Sequence, residues 1–213
     1  EAALSITSVM ESILRYFTNL TGNLGWAIIA VTVLIKAILH PLQAHQVRVM
    51  EQMKALTPKI KELEQKYKGQ PQEYQQRLAE LYRDNKVNPM AGCLPALIPL
   101  PVLIVFFRVL QNKAFVDSFG AAKSSFLWLA SLSAPDPWIL PILSAVTMWF
   151  SMAQTTTDQS QKTMTIVMPL FFGWFTRTMP SGAAVYWVAT NVVSILQHYL
   201  IQRQLAASKK GVS

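Results

Sequence analysis

The sequence predicts an all-α integral membrane protein with five transmembrane helices, an N-terminal interfacial amphipathic helix and a cytoplasmic antiparallel helical hairpin between spans one and two. Composition is the first reason. The 213 residues are 52% hydrophobic and only 14% charged, with a mean hydropathy of +0.28, which leaves too few charges to coat a soluble globule of this size. The second reason is that charge-free stretches recur, at residues 16–35, 87–107, 137–157, 163–176 and 178–202. All but the fourth reach about the 20 residues that a helix needs to cross the hydrocarbon core, and the fourth does so by extending past Arg177. None shows dyad alternation, so helices rather than barrel strands satisfy the backbone in lipid. Third, a polar segment with a heptad-like seam separates the first two runs.

In chain order, residues 1–21 place Ile6, Val9, Met10, Ile13, Phe17 and Leu20 at helical spacing. That pattern suits a helix lying on the outer membrane face, with Gly22 and Gly25 turning the chain inward. Span one covers 22–48. In the cytoplasmic segment 49–87, Val49, Met53, Leu56, Ile60, Leu63 and Tyr67 repeat at steps of 4, 3, 4, 3 and 4, a coiled-coil seam. The run KGQP at 68–71 breaks the seam, and Tyr74, Leu78 and Leu81 resume it, hence the hairpin. So short a segment with one narrow seam has little core and is expected to be mobile. A docking surface and a plain solvated hairpin are equally compatible with it. Span two covers 88–113, where Pro95, Pro99 and Pro101 each remove a helix donor and predict an irregular cytoplasmic half. An outer loop over 114–136, span three over 137–157, a cytoplasmic loop over 158–163, span four over 164–178, an outer turn over 179–181, span five over 182–203 and a basic tail over 204–213 complete the chain.

The excess of Lys plus Arg over Asp plus Glu, 19 against 11, is distributed in a way that argues against nucleic-acid readout. Nine cations fall between Arg48 and Lys86, interleaved with six carboxylates, and Lys162, Arg203, Lys209 and Lys210 lie on the same side. Opposite them stand only Arg15, Lys113, Lys123 and Arg177. By the positive-inside rule the N-terminus is outside and the C-terminus cytoplasmic. No positively charged n-region with a small-residue cleavage site opens the sequence, so a signal peptide is expected to have been removed. Cys93, the sole cysteine, has no internal disulfide partner and no metal spacing.

Lys36 is the residue that needs a reason. Residues 16–35 and 37–47 carry no charge, and a cation near the bilayer centre costs a few kcal/mol, so it marks a functional site by default. Thr32, Lys36, His40 and Gln43 share one face of span one. Ser144, Thr147, Ser151 and Gln154 share one face of span three, and Trp187, Asn191, Ser194 and His198 one face of span five. Turned inward, the three stripes build a wet groove that hydrates the ammonium, although serine and threonine also serve as ordinary packing residues in lipid. The competing structural role for Lys36 is to anchor helix packing through hydrogen bonds to Asn191 or Gln154.

Every Asp and Glu lies outside the five spans, which weakens a proton-coupled transporter. There is no Gly-rich phosphate loop, no HExxH and no GxSxG. Catalytic residues, a cofactor and a metal site are therefore not expected. What remains is a cationic, partly hydrated surface that can hold a polar or acidic segment of another molecule. A small-solute or ion transporter is the alternative.

The runs NPMAGCLP at 88–95 and MPLFFGWFTRTMPSGAAVYWVATNVVSILQHYLI at 168–201, with the Lys36 span followed by His40-Pro41-Leu42, closely resemble the YidC/Oxa-type membrane protein insertases. The likeness covers nearly the whole chain. It implies a compact five-helix insertase of the bacterial cytoplasmic membrane whose partners are nascent membrane proteins, alone or beside the Sec translocon. The hairpin and the basic tail are candidate contacts for the ribosome and targeting factors. By position, Lys36 stands where that family usually has an arginine. Thr32 lies one turn before it, and Trp187 and Asn191 match groove-facing positions. The family tends to have a glutamine near Ser151 or Gln154. Lysine for arginine is a departure, since a lysine offers a point charge and can lose its proton when desolvated. The implied groove must therefore be wet.

Overall fold

The computed structural model describes residues 2–88, 99–155 and 159–210. Cys93, Pro95 and all of NPMAGCLP after Asn88 lie outside the described residues. Among those described, the chain is helical: α1 (Ala2–Thr21), α2 (Leu24–Ile38), α3 (His40–Lys66), α4 (Pro71–Asp84), α5 (Pro99–Gln111), α6 (Lys113–Asp117), α7 (Ala121–Ser124), α8 (Ile139–Thr155), α9 (Gln159–Thr176) and α10 (Ser181–Lys210). Strand pairing in the described residues is limited to one isolated bridge, Phe126 with Leu129.

The turn from α1 to α2 follows from local chemistry. Gly22 adopts φ +77°, a left-handed conformation that glycine takes without a Cβ penalty. Asn23 then caps α2, its Oδ1 accepting from Gly25 N at 2.8 Å while its Nδ2 donates to Ser125 O at 2.6 Å. Gly25 is not itself the turn. It sits inside α2, and a Cβ there would enter the Phe126 ring. α1 and α2 are bent by 115° at this break.

A second interruption falls at Leu39, which separates α2 from α3. Pro41 cannot donate a backbone bond, which favours a helix start here. The expected division between span one and the polar segment, at 48, therefore lies inside α3, which runs unbroken from His40 to Lys66. The expected loop over 158–163 is helical from Gln159 onward.

Two apolar clusters form. The larger draws Leu14 from α1, Ile28 and Val31 from α2, Phe106 and Leu110 from α5, Phe115, Phe126 and Leu132 from the 112–138 segment, and Ala183 to Trp187 from α10. The smaller packs Val49, Met53, Leu56 and Ile60 of α3 against Leu78, Leu81 and Tyr82 of α4 and against Val87. The exterior is the reverse of a soluble protein's: Ile142, Leu170, Trp174 and Leu196 are each more than half exposed. By length and apolarity Ser181–Ala207 suffices to cross a membrane, the bent pair of α1 and α2 passes together, and Leu100–Gln111, Ile139–Gln154 and Thr163–Thr176 are shorter apolar helices.

Candidate functional site

α10 is the element on which the site is assembled. Its start is pinned by the Pro180-Ser181-Gly182 run: Ser181 N and Oγ both donate to Ala134 O, at 2.9 Å and 2.6 Å, and Gly182 N donates to Leu132 O at 2.9 Å. Gly182 lets α10 approach closely, because a Cβ would stand 2.7 Å from Leu110 Cδ1. One turn on, Tyr186 stacks on Phe106 with centroids 4.5 Å apart. The helix register is thereby set before the polar stripe begins.

From that position α10 packs against α2 on one side and α8 on the other. Among the described residues α2 and α8 do not pack comparably on each other, so their polar faces flank the stripe of α10. Lys36 reaches across from α2, its Nζ donating to Ser194 Oγ at 2.6 Å. Asn191 reaches the other way, its Nδ2 donating to Thr147 Oγ1 of α8 at 3.2 Å. Lys36 is thus held by Ser194, and not through Asn191 or Gln154 as the competing structural role required. Ion pairs in the described residues are Lys54 with Glu51 and Arg77 with Glu80, so the ammonium has no carboxylate partner there.

The other expected site residues divide in two. Thr32 is buried and spends its hydroxyl on Ile28 O at 2.7 Å. Trp187 is buried too, lying flat on Phe172 of α9. Gln43, Ser151 and Gln154 are half-buried, and the Gln154 carbonyl accepts from Lys54 Nζ at 3.0 Å. Lys54 also pairs with Glu51 at 3.1 Å, and Gln202 Nε2 donates to that carboxylate at 2.8 Å. Burial raises the Glu51 carboxyl, but the hydrogen bonds from Gln202 and Lys54 and the Lys54 charge outweigh it and hold the group below its usual range. This network ties α3 to α8 and α10 toward the end of α10 away from Pro180. Gln197 went unnoticed in the sequence. Its Nε2 donates to Lys36 O at 3.1 Å, and the signal was its position one turn after Ser194.

Several polar atoms around the stripe are buried without a hydrogen-bond partner: Ser144 Oγ, Trp187 Nε1, Gln197 Oε1 and His198 Nε2. Leaving such a group dry costs about 1–3 kcal/mol. These atoms concentrate on the faces of α8 and α10 that carry the polar stripes. The arrangement can hold and attract charge.

Comparison with known proteins agrees with this architecture. The 60Kd inner membrane protein family model matches residues 16–209. A membrane protein insertase YidC of Caldanaerobacter subterraneus is 39% identical over 206 residues, covering 96% of this chain and 98% of the relative. A YidC of Helicobacter pylori is 37% identical and covers 93% of this chain, which spans only 36% of that longer protein. A crystal structure of an active YidC insertase superposes with a TM-score of 0.76 at 28% identity, covering 92% of this chain and 46% of that one. On a match running almost from end to end, the chain belongs to the 60Kd inner membrane protein family.

Proposed function

We propose that this chain is a membrane protein insertase. It receives nascent hydrophobic segments in a hydrated cationic groove between α2, α8 and α10 and releases them sideways into lipid, without ATP hydrolysis. The observation that carries this reading is Lys36, an ammonium with no carboxylate partner among the described residues, held at the groove by Ser194. Thr32, Gln43, Ser151, Gln154, Trp187 and Asn191 complete the substrate groove in this reading. An acidic residue near the translocated end of a client is drawn to Lys36 from the cytoplasmic side. A wet pocket partway across shortens the apolar path that a polar tail must travel. The membrane potential favours outward movement of negative charge by about 2.3 kcal/mol per charge at 100 mV. The apolar remainder then partitions into lipid, a downhill step.

The same reading assigns the topology. α2 with the start of α3, then α5, α8, α9 and α10, serve as five spans, α1 lies on the outer face, and the α3–α4 pair projects into the cytoplasm of a bacterium. The exposed apolar side chains of α8, α9 and α10 support a lipid-facing exterior. The separation of the α3–α4 cluster from the main core supports a hairpin free to meet the ribosome, a targeting factor or the Sec translocon.

Reconstitution into liposomes tests the function. The insertase reading expects a single-span client to become protease-protected in proteoliposomes while no solute flux appears. Flux without insertion would instead select the transporter.

A further inference from the structure

Ser194 and Gln197 stand one turn apart on α10 and address the same residue of α2 from two ends. Lys36 Nζ donates to Ser194 Oγ at 2.6 Å, and the Lys36 carbonyl accepts from Gln197 Nε2 at 3.1 Å. The Ser194 hydroxyl proton is already committed, because Oγ donates to Thr190 O at 2.8 Å. What it turns toward Lys36 is a lone pair, the group that an ammonium needs. Gln197 Nε2 also lies 3.4 Å from His40 Nδ1, across the break at Leu39. One amide therefore spans both sides of the junction between α2 and α3, with Lys36 in the last turn before it.

We propose that Ser194 and Gln197 are positioning residues. They clamp Lys36 by head group and carbonyl so that its charge is presented to the groove at one fixed depth. A clamp is needed for two reasons. A lysine side chain has four rotatable bonds and much rotamer freedom, and α2 ends two residues beyond Lys36, so a free stem would snorkel toward the helix end. An ammonium that wanders over several ångströms spreads its field, whereas a held one meets each client at the same point. The bonds lie 158 and 161 residues apart in sequence, so they also fix how α10 sits against the α2–α3 junction. This inference rests on the reading of Lys36 as the receiver of acidic client segments.

The test uses the full chain in proteoliposomes, as wild type, Ser194→Ala, Ser194→Thr, Gln197→Leu, Ser194→Ala with Gln197→Leu, and Lys36→Ala. Two quantities are measured. One is the rate at which a small water-soluble amine-reactive ester acylates Lys36, read by peptide mass spectrometry. The other is the ratio of insertion of a client with an acidic tail to that of a matched client with a neutral tail. The double variant is expected to raise Lys36 acylation several-fold and to move the client ratio most of the way to its Lys36→Ala value, with Ser194→Thr close to wild type in both. Unchanged acylation in folded protein overturns the clamp. So does a client ratio left at the wild-type value while Lys36→Ala shifts it. Equal loss of both clients in Lys36→Ala overturns the electrostatic reading instead, and the acylation rates then still decide whether the clamp exists. If the double variant does not fold, Ser194→Ala against Ser194→Thr decides by the same two measures.

Discussion

Trp187 lies flat on Phe172, with ring centroids 4.8 Å apart and planes within 4° of parallel. The stack ties α10 to α9, while the indole Nε1 remains buried without a hydrogen-bond partner. The two properties are separable. Trp187→Ala opens a cavity and is expected to destabilise the protein by about 3 kcal/mol. Trp187→Phe keeps a ring on Phe172 while removing the donor and a modest part of the ring volume. Its thermal unfolding is expected to stay near wild type while client insertion falls. Wild-type insertion by Trp187→Phe would show that Nε1 has no part in the groove.

Charge at position 36 is expected to control client choice. Lys36→Arg should retain activity, Lys36→Ala should impair clients with acidic translocated tails, and Lys36→Glu should be worst because it repels them. A charge pair at close range is worth about 1 kcal/mol even in water-like surroundings, which is several-fold in rate. Insertion of matched acidic-tail and neutral-tail clients checks this. Equal losses with a fall in melting temperature would assign Lys36 to helix packing.

The α3–α4 pair has its own small apolar cluster, which shares no residue with the main core. The tie at its base, Glu51 to Lys54 and Gln202, lies outside residues 59–83. Deleting 59–83 is therefore expected to leave thermal unfolding of the remaining helices unchanged while lowering insertion. Collapse of the purified deletion variant would make the pair a structural element.

Asp136 is buried at the start of α8. Its oxygens accept from Trp138 N at 3.0 Å, Ile139 N at 3.3 Å, Leu140 N at 3.0 Å and Trp128 Nε1 at 2.9 Å. Burial raises the carboxyl, but these donors outweigh it and leave it below the usual range. A folded-state value below the unfolded one stabilises the protein above the unfolded pKa of about 4, and that stability is lost as pH falls through the folded value. Asp136→Ala should cost about 1–2 kcal/mol at neutral pH. In parallel thermal melts the gap to wild type should narrow as pH drops below 4; a constant gap would refute the charge-based account.

Much of the fold was legible because lipid and water impose periodicities that individual residues carry. Where their residues are described, the charge-free runs fall largely in apolar helices. The seam of Val49, Met53, Leu56 and Ile60 packs against Leu78 and Leu81. The stripes of α8 and α10 can be read off at steps of three and four, whereas the break at Leu39 puts His40 and Gln43 of the expected span-one stripe on α3, apart from Thr32 and Lys36 on α2. The break at Leu39 was hidden because no charge, glycine or polar cluster marks it, and only Pro41 hinted at it. Gly25, read as part of the turn, belongs to α2 and serves close packing against Phe126.

By itself the sequence determined that the chain is helical and apolar outside, and that one cation must find hydration or a partner within charge-free surroundings. These follow from composition and spacing, which act locally. Which partner that cation takes was decided by tertiary structure alone. Ser194, Asn191 and Gln154 all stand on polar stripes, and stripe membership cannot rank them. The PSG contacts and the stacks of Tyr186 and Trp187 set the register of α10, and that register brings Ser194 to the Lys36 ammonium and Gln197 to its carbonyl. Hydrogen bonds between groups about 160 residues apart in sequence depend on ångström-scale packing, which no local pattern encodes.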